Sequence, residues 1–265
     1  MDEAPTFYAQ PSLNVESYDS VVAAIVDDLP FYLGLAAETG GPVLDIGGGT
    51  GRIAWPLAEA GYEVTTLDIS APMLAAARAK AADHEPEVRE RLSFVQADMR
   101  NFQLSPRFGL ALAPGRVFQA LLTPDDQAAA LAAIRRHLRP GGVFVAHLFD
   151  PRLDWCTPMD APLDHADRGT GHISSSGNYV RVSALQRTND PLTQVFAERW
   201  QFVELGPDGT VVRREEEILR MRWTYRNEMR YLLQLSGFSV EAEYSDFHRS
   251  PPRYGGEQVW LARRV

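Results

Sequence analysis

The chain has 265 residues, with 26 Lys plus Arg against 35 Asp plus Glu, a formal net charge of −9 and 45% hydrophobic residues. This is the make-up of an ordinary globular protein, and at this length folding buries roughly 70–75% of the unfolded surface, so no disulfide or metal staple is required. The acidic balance supplies no basic field for a phosphate backbone, which argues against nucleic acid as a partner. The single cysteine, Cys156, makes neither an internal disulfide nor a zinc cluster. No apolar run reaches 18 residues and the start, MDEAPTFYAQ, is acidic and polar. The expectation is a cytoplasmic protein without signal peptide or membrane partner.

Residues 1–41 read as a polar tip followed by helical segments, with apolar spacing through Val21, Val22, Ile25, Val26 and Leu29. A rhythm of short apolar runs and amphipathic stretches follows. Strands are expected at Pro42–Ile46, Tyr62–Leu67, Leu92–Gln96, Phe108–Leu112 and Val143–Phe149, with helices at Arg52–Ala60, Ala71–Ala82 and Pro124–Leu138. The last of these helices has an acidic first turn, Asp125 and Asp126, and a basic last turn, Arg135, Arg136 and His137, as its macrodipole favours. Strands alternating with helices at this spacing imply a parallel sheet covered on both faces. After Asp150 the rhythm changes. Residues 151–177 read as a long loop, and Tyr179 to Trp223 as antiparallel strands turning at Gly206-Pro207-Asp208-Gly209. A helix over Arg226–Leu235 and strands at Phe238–Tyr244 and Gln258–Arg263 return the chain to the α/β rhythm. The division expected is 1–41 as an N-terminal helical cover, 42–150 as an α/β core, 151–225 as an antiparallel insertion and 226–265 as the return of the core.

The most informative stretch is Asp45-Ile46-Gly47-Gly48-Gly49-Thr50-Gly51-Arg52. A strand delivers the chain into a glycine turn at a helix start, where missing Cβ atoms let a ligand lie against the backbone. The dinucleotide pattern G-x-G-x-x-G fails, because its third glycine falls on Arg52. Asp45 would repel a pyrophosphate but suits an ammonium group. Asp68 ends the next strand, where it can accept two hydrogen bonds from a ribose diol. Ile69 and Met73 can sandwich an adenine, and Asp98 ends the third strand beside its amino group.

These residues carry a resemblance. Asp45–Arg52, Leu67–Leu74 and Gln96–Arg100 resemble the cofactor motifs of class I S-adenosylmethionine-dependent methyltransferases, and His137-Leu138-Arg139-Pro140-Gly141-Gly142 resembles that family's post-motif turn. The resemblance implies a doubly wound, Rossmann-like sheet of seven strands, mostly parallel, with the last antiparallel. It implies S-adenosylmethionine as cofactor, its methionine portion held by Asp45 with Gly47, Gly49 and Gly51, its ribose by Asp68, and its adenine by Asp98 and Met99. Tyr18-Asp19 and Pro30-Phe31-Tyr32-Leu33 resemble the helices that close over the cofactor in small-molecule members, and the insertion after the fifth strand resembles their substrate lid. Gly48 stands where many members have cysteine or alanine, and the expectation is that this has no consequence.

The reaction so implied is methyl transfer to an N, O or C nucleophile of a small molecule. His147, at the end of the fifth strand, is the candidate base if odd positions face the pocket, and Arg116 the candidate substrate anchor. No two histidines have ligand spacing, so no metal is expected. Arg213-Arg214-Glu215-Glu216-Glu217 reads as a solvated strand face. Three other readings remain open at this point: cofactor chemistry that releases methylthioadenosine, a non-catalytic cofactor-binding protein, and a NAD-linked dehydrogenase. The lid's unpaired edge offers a pairing surface for a homodimer.

Overall fold

The computed structural model describes residues 4–23, 25, 27–105, 107–173 and 175–265. Residues 1–3 of the expected cover, and Val26 of its apolar spacing, lie outside the described residues. In the cover, Ser12 caps helix α1 (Leu13–Val21) and is followed by α2 (Asp28–Thr39). The core then runs β1 (Val43–Ile46), α3 (Ala54–Glu59), β2 (Val64–Asp68), α4 (Ala71–Ala79), α5 (Pro86–Glu90), β3 (Leu92–Gln96), β4 (Phe108–Ala113), α6 (Pro124–His137) and β5 (Leu138–Phe149). Helix α4 is shorter than the alanine run suggests, since a 3-10 turn takes over at Lys80–Asp83.

Four long strands follow: β6 (Met159–His172), β7 (Tyr179–Asp190), β8 (Val195–Leu205) and β9 (Val211–Arg222). Helix α7 (Arg226–Leu235) and strands β10 (Phe238–Tyr244) and β11 (Glu257–Arg264) complete the chain. The seven core strands lie in the order β10-β11-β5-β4-β1-β2-β3, with β11 antiparallel to both its neighbours and β1 to β5 mutually parallel. Strands β6 to β9 form a separate antiparallel sheet inserted after β5.

The strand β6 corrects the reading of residues 151–177 as loop. It pairs with β7 from Met159↔Asn189 to His172↔Tyr179, but two irregularities, at Pro162/Ala166 and Asp167/Gly169, break the period-two pattern that would reveal a strand. Asp164 and His165 take left-handed backbone there, with φ of 46° and 54°. An edge strand tolerates both the bulges and a proline.

The sheet is covered on both faces, as its unbroken apolar strands require. Leu44, Phe144 and Ala146 pack with α6 and α7 through Leu131, Ile134, Met229 and Leu233. Val43, Leu112, Val143 and Val145 pack with α2 and α3 through Phe31, Tyr32, Leu35 and Leu57. A third cluster joins the cover to the inserted sheet, with Leu13 against Val180, Val182 and Phe202. Among the described residues no helix is long and apolar enough to cross a membrane.

Candidate active site

Strand β1 ends in the glycine turn. Gly47, Gly49 and Gly51 have φ of 65°, 55° and 78°, a region that side chains disfavour. The turn is pinned by the Gly47 and Gly48 amides, which both donate to the Leu67 carbonyl, at 2.6 and 3.3 Å. Beneath it Asp45 is 0% exposed, and neither carboxylate oxygen has a hydrogen-bond partner among the described residues. Burial pushes the Asp45 pKa from 3.8 to about 7, against a lowering by Arg52 and with a further push from Asp68. Arg52 gives Asp45 no direct contact because its guanidinium is forked onto Asp28, at 2.8 and 2.6 Å. The expectation for Gly48 is corrected: a Cβ there would overlap the Asp45 Oδ2 and come within 2.5 Å of Thr66 Cγ2, so glycine leaves the carboxylate its room.

At the end of β2 the Asp68 carboxylate accepts from the Gly49 amide at 2.9 Å and the Ser70 amide at 2.8 Å. Burial raises its pKa and these amides oppose the rise. Ile69 is 66% exposed beside it, while Met73, buried, comes from the first turn of α4. Asp98 ends the row. Its carboxylate is gripped by Arg100, whose Nε lies 3.0 and 2.9 Å from the two oxygens, and these bonds hold it below the ordinary carboxylate range. Tyr18 faces the same space from α1, its ring edge-on to Tyr8 with centroids 5.6 Å apart.

Tyr18, Asp45, Gly47, Gly49, Asp68, Ile69, Met73, Asp98 and Met99 line one cavity of about 1320 Å³ that extends from the glycine turn to the inner face of the inserted sheet, while Gly51 lies outside its lining. A site for one drug-sized ligand occupies roughly 300–1,000 Å³, so the volume accommodates a cofactor and a second molecule. The far wall carries Phe149, Trp155, Arg168, Arg187, Glu198 and Trp200.

The two residues singled out beside the methyl-transfer position part company. Arg116, in a left-handed turn after β4, lines the cavity, and its Nη2 donates to Glu257 Oε1 at 2.6 Å. His147 is not among the lining side chains. It shares the parity of Val143 and Val145, which face α2, and its ring meets Phe247 edge-on at 4.9 Å. His147 Nε2 lies 3.0 Å from Glu257 Oε2. Glu257 therefore bridges the two, delivered by β11, where it stands opposite Phe149. Burial raises its pKa, but His147 and Arg116 together bring it below its ordinary value.

One feature has no counterpart in the sequence, and it overturns an expectation about β9. Residues 5–8 form a strap that pairs with β9: Ile218 N donates to Pro5 O at 2.8 Å and Phe7 N to Ile218 O at 3.3 Å. The strap is tied to α4 by Ser70 Oγ, which donates to Tyr8 O at 2.6 Å. The expected solvated face at Arg213–Glu217 is accordingly part buried. Glu217 Oε2 accepts from Asn14 Nδ2 at 2.7 Å and Tyr8 N at 3.1 Å, and Glu215 Oε2 from Leu13 N at 2.7 Å.

Residues 43–142 match the family model described as a methyltransferase domain. Over its whole length the chain superposes on the structure of the CcbJ methyltransferase from Streptomyces caelestis, with a TM-score of 0.70, 26% identity and 94% of that chain covered. Residues 43–142, which carry the glycine turn, Asp68 and Asp98, are thus similar to a methyltransferase domain, and the likeness to CcbJ extends over the whole chain. The glycopeptide N-methyltransferase MtfA is also similar, at TM-score 0.57 and 25% identity over 92% of this chain and 96% of that one. The cypemycin N-terminal methyltransferase of a Streptomyces species is 29% identical over 56% of this chain and 58% of its own length. The chain spans about half the length of most of the curated relatives it matches. The family's cofactor suits the residues present: a fully buried carboxylate without a partner, under a turn opened by glycines, has the chemistry to receive an ammonium group.

Proposed function

We propose that this protein methylates an amine nitrogen of a small molecule, with S-adenosylmethionine as methyl donor. The observation that carries the reading is the unpartnered Asp45 carboxylate at the bottom of a cavity with room for two ligands. The choice of nitrogen rests on the names of two relatives, the N-terminal methyltransferase and the glycopeptide N-methyltransferase.

In this reading Asp45 and the turn Gly47-Gly48-Gly49-Thr50-Gly51 hold the amino-acid end of the cofactor, and Asp68 holds its ribose. Asp98, Met99, Ile69 and Met73 form the adenine berth, and Tyr18 covers it. When bound, the cofactor supplies an electrophilic methyl group on a sulfonium. The chain's task is then to orient the nucleophile ~3–3.5 Å from that carbon and to exclude water. The inserted sheet and the strap over β9 do the excluding. A neutral amine needs no base to attack, which agrees with the position of His147 behind Glu257. Arg116 touches the acceptor, and His147 is a positioning residue acting on Arg116 through Glu257. Cytoplasmic residence and a homodimer paired along the β6 edge belong to the same reading, checked by fractionation and light scattering.

The test is incubation with methyl-labelled S-adenosylmethionine and a panel of amino sugars and peptides with free N-termini. S-adenosylhomocysteine and an N-methylated product are expected. Release of methylthioadenosine, or no binding of S-adenosylhomocysteine, overturns the reading.

A further inference from the structure

We infer that the second molecule in the cavity carries a carboxylate, read by Arg187 and Arg168 on the inner face of the inserted sheet. The inference rests on the methyl-transfer reading above and identifies the acceptor's chemical class. It starts from an imbalance of charge. Arg187 on β7 and Glu198 on β8 stand directly opposite in the register, so their side chains share a face. Arg187 Nη1 lies 3.3 Å from Glu198 Oε1, and Arg168 Nη2 reaches the same oxygen at 3.0 Å. The other oxygen, Oε2, accepts from Trp200 Nε1 at 2.7 Å. Two guanidinium groups thus share one carboxylate whose oxygens are both engaged and whose side chain is only 5% exposed. One positive charge on this wall is left uncompensated.

That charge sits where water does little for it. The Arg187 side chain is 14% exposed, its guanidinium carbon lies 4.3 Å from the Phe196 ring centroid and 5.7 Å from that of Trp155. Its Nε donates to Asn189 Oδ1 at 2.8 Å, which fixes the plane of the fork. Burial lowers the Arg187 pKa, and Glu198 offsets this only in part. A planar anion docking on the fork supplies the missing charge and two strong hydrogen bonds. The surrounding rings supply an apolar wall for the carbon body beside it.

The polarity of the cavity gives the same answer. Its floor at the glycine turn is acidic, with Asp45 and Asp68, and its opposite wall carries the surplus cation. With Asp45 and Asp68 taken up by the cofactor, an acceptor whose neutral nitrogen faces the sulfonium turns its far end to this wall, where a carboxylate meets the cation. Glu198 does not serve as the amine's partner, because three donors already occupy it.

The experiment is calorimetric titration of the full chain, saturated with S-adenosylhomocysteine, with indole-3-acetate and with its neutral isostere indole-3-acetamide. The acetate is expected to bind about tenfold more tightly than the amide, the effect of one charge-assisted pair. Arg187→Met and, independently, Arg168→Met should each bring the two probes to within about twofold, since each variant leaves Glu198 one guanidinium. Arg181→Met, on the exposed face of β7, is the control and should keep the preference. Equal affinities in the unmodified protein, no binding of the acetate, or the same loss in Arg181→Met overturns the inference. Failure of S-adenosylhomocysteine to bind in the preliminary saturation would strike at the methyl-transfer reading instead, so the two failures are distinguishable.

Discussion

On the proposed function, Asp45 ties the affinity for cofactor to pH and to the stability of the empty protein in opposite directions. Its carboxyl is buried and unpartnered, with a pKa lifted from 3.8 to about 7. In the unfolded chain the group ionises near its ordinary value. Between pH 4 and pH 7 the folded state therefore holds a proton that the unfolded state has lost, and stability falls as pH rises through this window. The climb from 3.8 to about 7 corresponds to roughly 4 kcal/mol lost by the upper end. Binding runs the other way. An ammonium group requires the ionised carboxylate, which is about one part in eleven at pH 6 and ten in eleven at pH 8. Affinity for S-adenosylhomocysteine should accordingly rise about tenfold from pH 6 to pH 8, a gain of ~1.4 kcal/mol.

Asp45→Asn separates these effects. The variant should stabilise the ligand-free protein at pH 8 by ~1–3 kcal/mol, less than the full value because the new amide is itself unpaired. That gain should shrink toward pH 5. Its affinity for S-adenosylhomocysteine should fall by ~2 kcal/mol and lose its pH dependence between 6 and 8. Thermal melts and calorimetry across pH 5–8 read both quantities. A variant less stable than the parent at pH 8, with affinity as pH-dependent as before, would refute the argument, since Asp45 would then be an ordinary paired core carboxylate.

Asp68→Ala should weaken S-adenosylhomocysteine binding by ~2–3 kcal/mol, because it removes charge-assisted bonds and frees the Gly49 and Ser70 amides; unchanged calorimetric affinity in a folded variant would disprove the ribose assignment. Arg116→Ala and His147→Ala should each raise the KM for the acceptor while kcat changes by less than about threefold, the pattern of lost ground-state binding. A fall in kcat of ~10²-fold for His147→Ala alone would return that residue to the role of base. Glu217→Ala leaves the Tyr8 amide and Asn14 without their shared acceptor, which should cost ~1–3 kcal/mol and expose residues 4–13 to limited proteolysis. Cleavage kinetics identical to the parent's would show that the strap does not depend on this carboxylate.

The fold was legible wherever side-chain pattern and backbone structure coincide. Strands β1 to β4 and the Val143–Phe149 part of β5 are short runs bounded by turn residues, although the ladder extends β5 back through Arg139-Pro140-Gly141-Gly142 to Leu138, and α6 announces both its ends by charge. The segment 159–172 was not, because β6 owes its structure to ladder bonds with β7 and not to its own side chains. Its Pro162, Asp164, His165 and Gly169 are loop residues by type, and only the neighbour's register makes them a strand.

The site divides along the same line. Asp45, Asp68 and Asp98 could be placed from sequence because in a parallel sheet each strand end lands on the same edge. His147 ends such a strand too, yet being at the correct edge does not determine which way a side chain points. That depends on parity: odd positions of β5 face α2, while Ala146 and Leu148 face α6. Glu257 and Glu217 carried no signal at all. Each becomes part of the site only because a distant segment docks against it: β11 brings Glu257 to Arg116 across 141 positions, and the cover brings Asn14 to Glu217 across 203. A carboxylate in an acidic run is solvated until something buries it. The short-range pattern around Arg213–Glu217 contains no trace of the strap that does so.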